Sequence, residues 1–263
     1  MSRNHRHGSH LVDISPWPAM AALNGWTTAV AVAASCHGYD QQQMLMPAAL
    51  VGTAASATLW WRDVAREAFH EGMHTTHVMA GLRAGILLFI VSEASLFAAF
   101  FWSYANMAAS PNVTVGCVWP PKGVTPPGTL GVPLANTAIL LVSGATLTVS
   151  HHYLLAGRHR AAMGYLVTTV ALAVVFLTCQ LYEYSIATFR MGDGAYGSAF
   201  YCSTGLHGLH VIVGLAALCA ALFRLGRNSS TRQHHLLFEG AGWYWHFVDI
   251  VWAALYLMVY VWG

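Results

Sequence analysis

A chain of 263 residues with only 12 basic and 10 acidic side chains is 8% charged and 56% hydrophobic, and its net charge is +2. An ordinary soluble domain carries about 25% charged residues, and a soluble particle of this size could not cover its surface with so few. Disorder, a disulfide scaffold and a cytosolic globular enzyme are excluded, two soluble domains are argued against, and no basic run points to a nucleic-acid partner.

A membrane helix takes ~20 apolar residues, and ionisable residues mark where spans stop. The segment before Ile14 carries Arg3, Arg6, His5, His7 and His10 without an apolar core. It reads neither as a secretory signal nor, being short and His-rich, as a convincing transit peptide. A first span is expected near 16–36, opened by Ser15-Pro16-Trp17-Pro18 with Ser15 as N-cap and prolines in the first turn. A second follows Asp40 near 41–61, and the connection after it, Trp60-Trp61-Arg62-Asp63 through His74, reads as an interfacial helix extension. A third lies near 82–107, broken only by Glu93, and the proline-rich stretch Pro111 to Pro133 is the one long loop. Spans near 130–155, 161–184, 196–223 and 239–262 complete the chain, the last broken only by Asp249. The expected fold class is all-α, an integral membrane bundle of seven transmembrane helices forming one domain over 1–263.

Charge asymmetry supports that count. Seven spans place Arg3, Arg6, Arg62, Arg66, Arg83, Arg158, Arg160, Arg224, Arg227 and Arg232 on one face, and only Lys122 and Arg190 on the other. The N-terminus is therefore expected on the matrix or cytoplasmic side. Eleven of the 15 histidines fall on the same Arg-rich face, His7 and His10 among them, where titratable groups can collect protons.

Inside the spans, ionisable residues are the exceptions. Glu93 lies about ten residues past Arg83, ~15 Å into the membrane, where an ionised carboxylate is costly and should be protonated or paired. It reads either as a proton-linked or lipid-facing acid or as a neutral acid hydrogen-bonded to a neighbouring helix. His207 and His210 share a face of span 6, and His246 and Asp249 form a second i, i+3 pair in span 7. Metal or haem ligation competes here with interhelical hydrogen bonding, and the lack of a third ligand at a recognisable spacing favours the structural role. Arg62 and Arg66 lie one turn apart with Asp63 within reach of Arg66; together with Arg83 and His74 they suit either an anionic lipid phosphate or surface ion pairing. The five cysteines show no paired spacing and are expected to be buried, inert thiols.

The longer strings are diagnostic. Trp60-Trp61-Arg62-Asp63-Val64-x-Arg66-Glu67, Gly81-Leu82-Arg83, Leu88-Phe89-Ile90-x-Ser92-Glu93, Cys117-Val118-Trp119-Pro120-Pro121 and Asp193-Gly194-x-Tyr196-Gly197-Ser198 run along the chain. Gly205-Leu206-His207-Gly208-Leu209-His210-Val211 and Phe238-Glu239-x-x-x-Trp243-Tyr244-Trp245-His246-Phe247-Val248-Asp249 follow. With them the chain resembles the cytochrome c oxidase subunit III family, the seven-helix accessory subunit of haem–copper oxidases. The resemblance implies a cleft between helices 1–2 and 3–7 that binds phospholipid, anionic lipid included. Trp61, Arg66, His74, Arg83 and Arg224 match the family's lipid contacts, and Glu93 matches the embedded acid facing the cleft. At 73–74 the chain has Met-His where relatives often have His-His, so only His74 carries over.

The resemblance also implies a support role: packing on subunit I alongside subunit II and other complex IV subunits, sustaining proton uptake, and protecting the active site during turnover. No catalytic residue, metal or cofactor is expected on this chain, with haem and copper in partner subunits and cytochrome c met only through the complex. The inventory agrees, since the catalytic subunit of that family needs six intramembrane histidines where this chain offers three, and no paired-cysteine copper loop exists. The mitochondrial inner membrane is the expected location, with a bacterial plasma membrane as the alternative. Subunit III of a quinol oxidase shares the fold and is the nearest other reading. A free-standing proton-linked transporter using Glu93, His246 and Asp249 is a third, opposed by the absence of inverted repeats.

Overall fold

The computed structural model describes residues 14–39, 44–69, 71–113, 116–227 and 235–263. They form seven helices: α1 (Trp17–Cys36), α2 (Leu45–Phe69), α3 (Thr76–Ala109), α4 (Val132–Leu155), α5 (His159–Ile186), α6 (Ala195–Gly226) and α7 (Leu236–Leu255). A π-helical turn, Tyr256–Val261, continues α7. Among the described residues all but α2 are long and apolar enough to cross a membrane. In α2 the small and hydroxylated run Gly52, Thr53, Ser56, Thr58 and then Arg62 and Asp63 dilute the apolar character. The chain is a multi-pass membrane protein, and it divides into two compact units, 1–82 and 83–263, with the boundary inside α3.

In the first unit α1 and α2 pack antiparallel through polar contacts. Asn24 Nδ2 donates to the Gly52 carbonyl at 3.1 Å, and the Thr28 and Thr53 hydroxyls meet at 3.0 Å. Lipid is as apolar as leucine, so helices in a bilayer gain little from burying apolar area and rely on close packing and such bonds. The expected N-cap moves by one residue. Pro16 occupies it, and the Ser15 hydroxyl instead accepts from the Trp17 N–H at 3.4 Å. α2 continues past its span to Phe69, as the expected interfacial helix extension implies, though it stops short of His74, and α3 begins at Thr76, six residues before its expected start.

The second unit is organised on a seven-residue repeat. The buried face of α4 is Pro133, Asn136, Leu140, Ser143, Leu147, Ser150 and Leu154, and that of α5 is Ala162, Leu166, Thr169, Ala173, Phe176, Gln180 and Glu183. Steps alternating three and four keep one seam facing a neighbour in left-handed packing. Every second position of the α4 seam is polar, and two of those groups, Ser143 and Ser150, join the helices. Ser150 Oγ donates to the Ala162 carbonyl at 2.6 Å, and Ser143 Oγ accepts from the Trp245 indole at 3.0 Å. Two residues separate α4 from the α5 N-cap, and Gly157, at φ +75°, turns the chain there as its N–H returns to the Leu154 carbonyl at 2.9 Å.

The cysteine expectation is corrected: none of the five is buried, with Cys36, Cys117 and Cys219 exposed and Cys179 and Cys202 partly so. Four of them lie on helices, where a weakly polar thiol costs little on a face that meets lipid, and Cys117 lies in the loop between α3 and α4.

Candidate functional site

The functional side chains of the second unit hang on one stripe of α3: Arg83, Ile86, Ile90, Glu93, Phe97, Phe101 and Tyr104, again in steps of three and four. Ile90 and Phe101 pack against the core, and Phe97 sits edge-on to the ring of His210 at 4.8 Å and near Phe247 at 6.1 Å. At one end of the stripe Arg83 Nε and Nη2 both donate to Glu239 Oε2, at 3.1 and 2.9 Å. At its centre Glu93 Oε2 lies 2.9 Å from His210 Nε2. The other ring nitrogen of His210, Nδ1, lies 2.8 Å from the Leu206 carbonyl, which can only accept, so Nδ1 carries a hydrogen. The Nε2 contact then needs one proton, held either by the acid or by the ring. The pair is electrically neutral as a whole in both arrangements, which is what its depth in the membrane demands.

His207 is 1% exposed and donates from Nε2 to the Val248 carbonyl at 3.2 Å, tying α6 to α7. His246 and Asp249 differ from it. The His246 side chain is 44% exposed, its Nε2 lies 3.3 Å from the Thr148 hydroxyl, and Nδ1 approaches Asp249 Oδ2 only to 3.6 Å, an electrostatic contact and not a hydrogen bond. Gly144 makes room for this group, because a Cβ there would lie 2.5 Å from Asp249 Oδ2. Among the described residues no group of three or more His, Cys, Asp or Glu side chains converges as a metal site would require.

The residues matching the family's lipid contacts fall in both units. Trp61, Arg66 and His74 belong to the first, Arg83 and Arg224 to the second. Trp61 is 70% exposed at the polar end of α2. Asp63 pairs closely with Arg62, at 3.0 Å, and Arg66 acts on it electrostatically, within the reach expected. The carboxylate also accepts from the Trp17 indole at 2.5 Å. That indole bond, helped by Arg62 and Arg66, holds the Asp63 carboxyl below the usual carboxylate range. Arg83 keeps a half-exposed guanidinium whose Nη1 has no hydrogen bond among the described residues, while Arg224 lies in the last turn of α6. His7 and His10 lie outside the described residues.

Sequence reasoning missed two acids. The sequence does not mark Glu239 as the partner of Arg83, nor Glu183, near the end of α5, as a buried acid that is 4% exposed. The successive seven-residue steps from Ala162 through Thr169 and Phe176 to Glu183 were the available signal.

Comparison with known proteins agrees with this architecture. The family described as cytochrome c oxidase subunit III matches residues 7–263. Cytochrome c oxidase subunit 3 of Chondrus crispus is 45% identical over 258 residues, covering 98% of this chain and 95% of that protein. The protein of the same name from Aedes aegypti is 43% identical over the full length of both, and that of Triticum aestivum is 44% identical over 100% of this chain and 99% of its own. With seven helices, a polar seam and this match along nearly its whole length, the chain belongs to the cytochrome c oxidase subunit III family.

Proposed function

We propose that this subunit of the terminal oxidase is a non-redox support in the mitochondrial inner membrane. It packs beside subunits I and II, binds phospholipid including anionic lipid, sustains proton uptake and protects the catalytic subunit during oxygen reduction. Haem and copper belong to partner subunits, and cytochrome c is met only through the complex. The observation that carries the lipid reading is Arg83: its guanidinium is anchored by Glu239 through Nε and Nη2, while the side chain remains 43% exposed with Nη1 available to a phosphate oxygen. Trp61, Arg66, His74 and Arg224 supply further interfacial contacts of the type a headgroup takes.

The test is the assembled oxidase with Arg66→Ala and Arg83→Ala together. Native mass spectrometry should find less anionic lipid retained, and the active lifetime during turnover should shorten; normal lipid retention refutes the assignment. Glu93 is proposed to shape the lipid site without passing protons itself. A Glu93→Gln oxidase with normal lipid content and turnover stability but abolished proton pumping contradicts that role.

A further inference from the structure

A pocket of about 280 Å³ lies beneath the proline-rich loop at the end of α5, and Glu183 forms part of its wall together with Thr125, Gly128, Pro133, Thr188 and Phe200. Glu183 is 4% exposed, and Gln180, one turn earlier on the same seam, is 5% exposed. Neither carboxylate oxygen of Glu183, neither polar atom of Gln180, nor the Tyr260 hydroxyl has a hydrogen-bond partner among the described residues. Tyr260 comes from the π-helical turn after α7, an irregularity that recurs at functional sites. The titratable groups facing the acid are Tyr184 of its own helix, Tyr201 of α6 and Tyr260, and α4 and the loop bring none to the wall. No lysine or arginine stands against it among the described residues.

A buried carboxylate with no cation beside it must be neutralised. One carboxylate with neutral amide and phenol oxygens is too few anionic ligands for a divalent ion, whereas a pocket of this size with the Glu183 carboxylate and the Thr125 and Thr188 hydroxyls in an otherwise apolar wall admits water with partners to bond. We propose that Glu183 and this pocket form a proton-binding site. The carboxylate takes a proton from pocket water, R–COO⁻ and H₃O⁺ giving R–COOH and H₂O, and water bridges the acid to the unpartnered polar atoms of Gln180 and Tyr260. The pocket lies among the segments carrying Lys122 and Arg190, on the face opposite the Arg-rich surface, so the site is separate from the proposed lipid and proton-uptake roles.

Infrared difference spectra of the assembled oxidase test this. Subtracting Glu183→Gln from the parent should leave one carboxylic-acid C=O band at neutral pH that moves down in D₂O. Thr188→Trp, an exposed substitution at the pocket wall, should keep the band and slow its deuterium shift several-fold; if Glu183→Gln does not assemble, this variant against the parent still decides. A carboxylate signature for Glu183 at neutral pH, a band insensitive to D₂O, a Thr188→Trp shift as fast as the parent's, or a band that moves on adding Na⁺ or K⁺ at constant pH each overturns the proposal.

Discussion

The pair between Glu93 and His210 joins residues 117 apart in sequence, and its strength can be worked out from the geometry. Interhelical hydrogen bonds inside membrane proteins average about 0.6 kcal/mol and reach ~1.7, and bonds involving a charged group reach about 1.5–3 kcal/mol. The contact is short at 2.9 Å, while the Glu93 side chain is 20% exposed and so is partly relieved by its surroundings. His210→Leu should therefore destabilise the chain by about 2 kcal/mol, since the acid loses its partner in the bilayer. Glu93→Gln should cost under ~1 kcal/mol, because the amide N–H donates to Nε2 as the protonated acid does. A cycle of Glu93→Leu, His210→Leu and the double variant, unfolded by SDS in mixed micelles and followed by tryptophan fluorescence, should show a coupling of about 1 kcal/mol. Additivity within ~0.5 kcal/mol refutes the pairing. A Glu93→Gln cost equal to that of His210→Leu refutes the protonated-acid arrangement.

Two further outcomes follow from close contacts. Trp17→Phe removes the indole donor that holds the Asp63 carboxyl below its usual range, so an NMR titration should find that carboxyl moved upward. The stability tied to this group is present above the ordinary carboxylate value and lost as pH falls through the depressed one; an unmoved titration sinks the assignment. Gly144→Ala places a Cβ 2.5 Å from Asp249 Oδ2 and 3.4 Å from His246 Nδ1, so the Asp249 side chain must move from its buried position or α7 must give way. Thermal unfolding should register a loss of about 1–3 kcal/mol, and an unaltered melting temperature refutes the close approach of α4 and α7.

Span count and order were legible because a bilayer sets helix length and excludes charge, and both constraints leave one-dimensional marks. The continuation of α2 past its span was legible from Trp60-Trp61 and the charges after them, but its end at Phe69 and the start of α3 at Thr76 were not. The buried faces were hidden as well. In a lipid-facing helix both sides are apolar, so hydrophobic periodicity carries no contrast. The polar residues carry it instead: Asn136, Ser143 and Ser150 recur every seven positions and mark the α4 seam that hydrophobicity conceals. Of the candidate site, Glu93 and His210 stood out singly by their depth. That they meet depends on α3 lying against α6, a long-range arrangement that local spacing does not encode. Arg83 and Glu239, 156 residues apart, were unreadable as a pair for the same reason.

The stripe of α3 has a consequence for synthesis. Glu93 is made 117 residues before His210, and Arg83 is made 156 residues before Glu239. During translation the third helix therefore enters the membrane with its acid and its arginine uncompensated, and each is satisfied only when the sixth and seventh helices arrive. A nascent chain halted before residue 210 carries an intramembrane acid without its His210 partner.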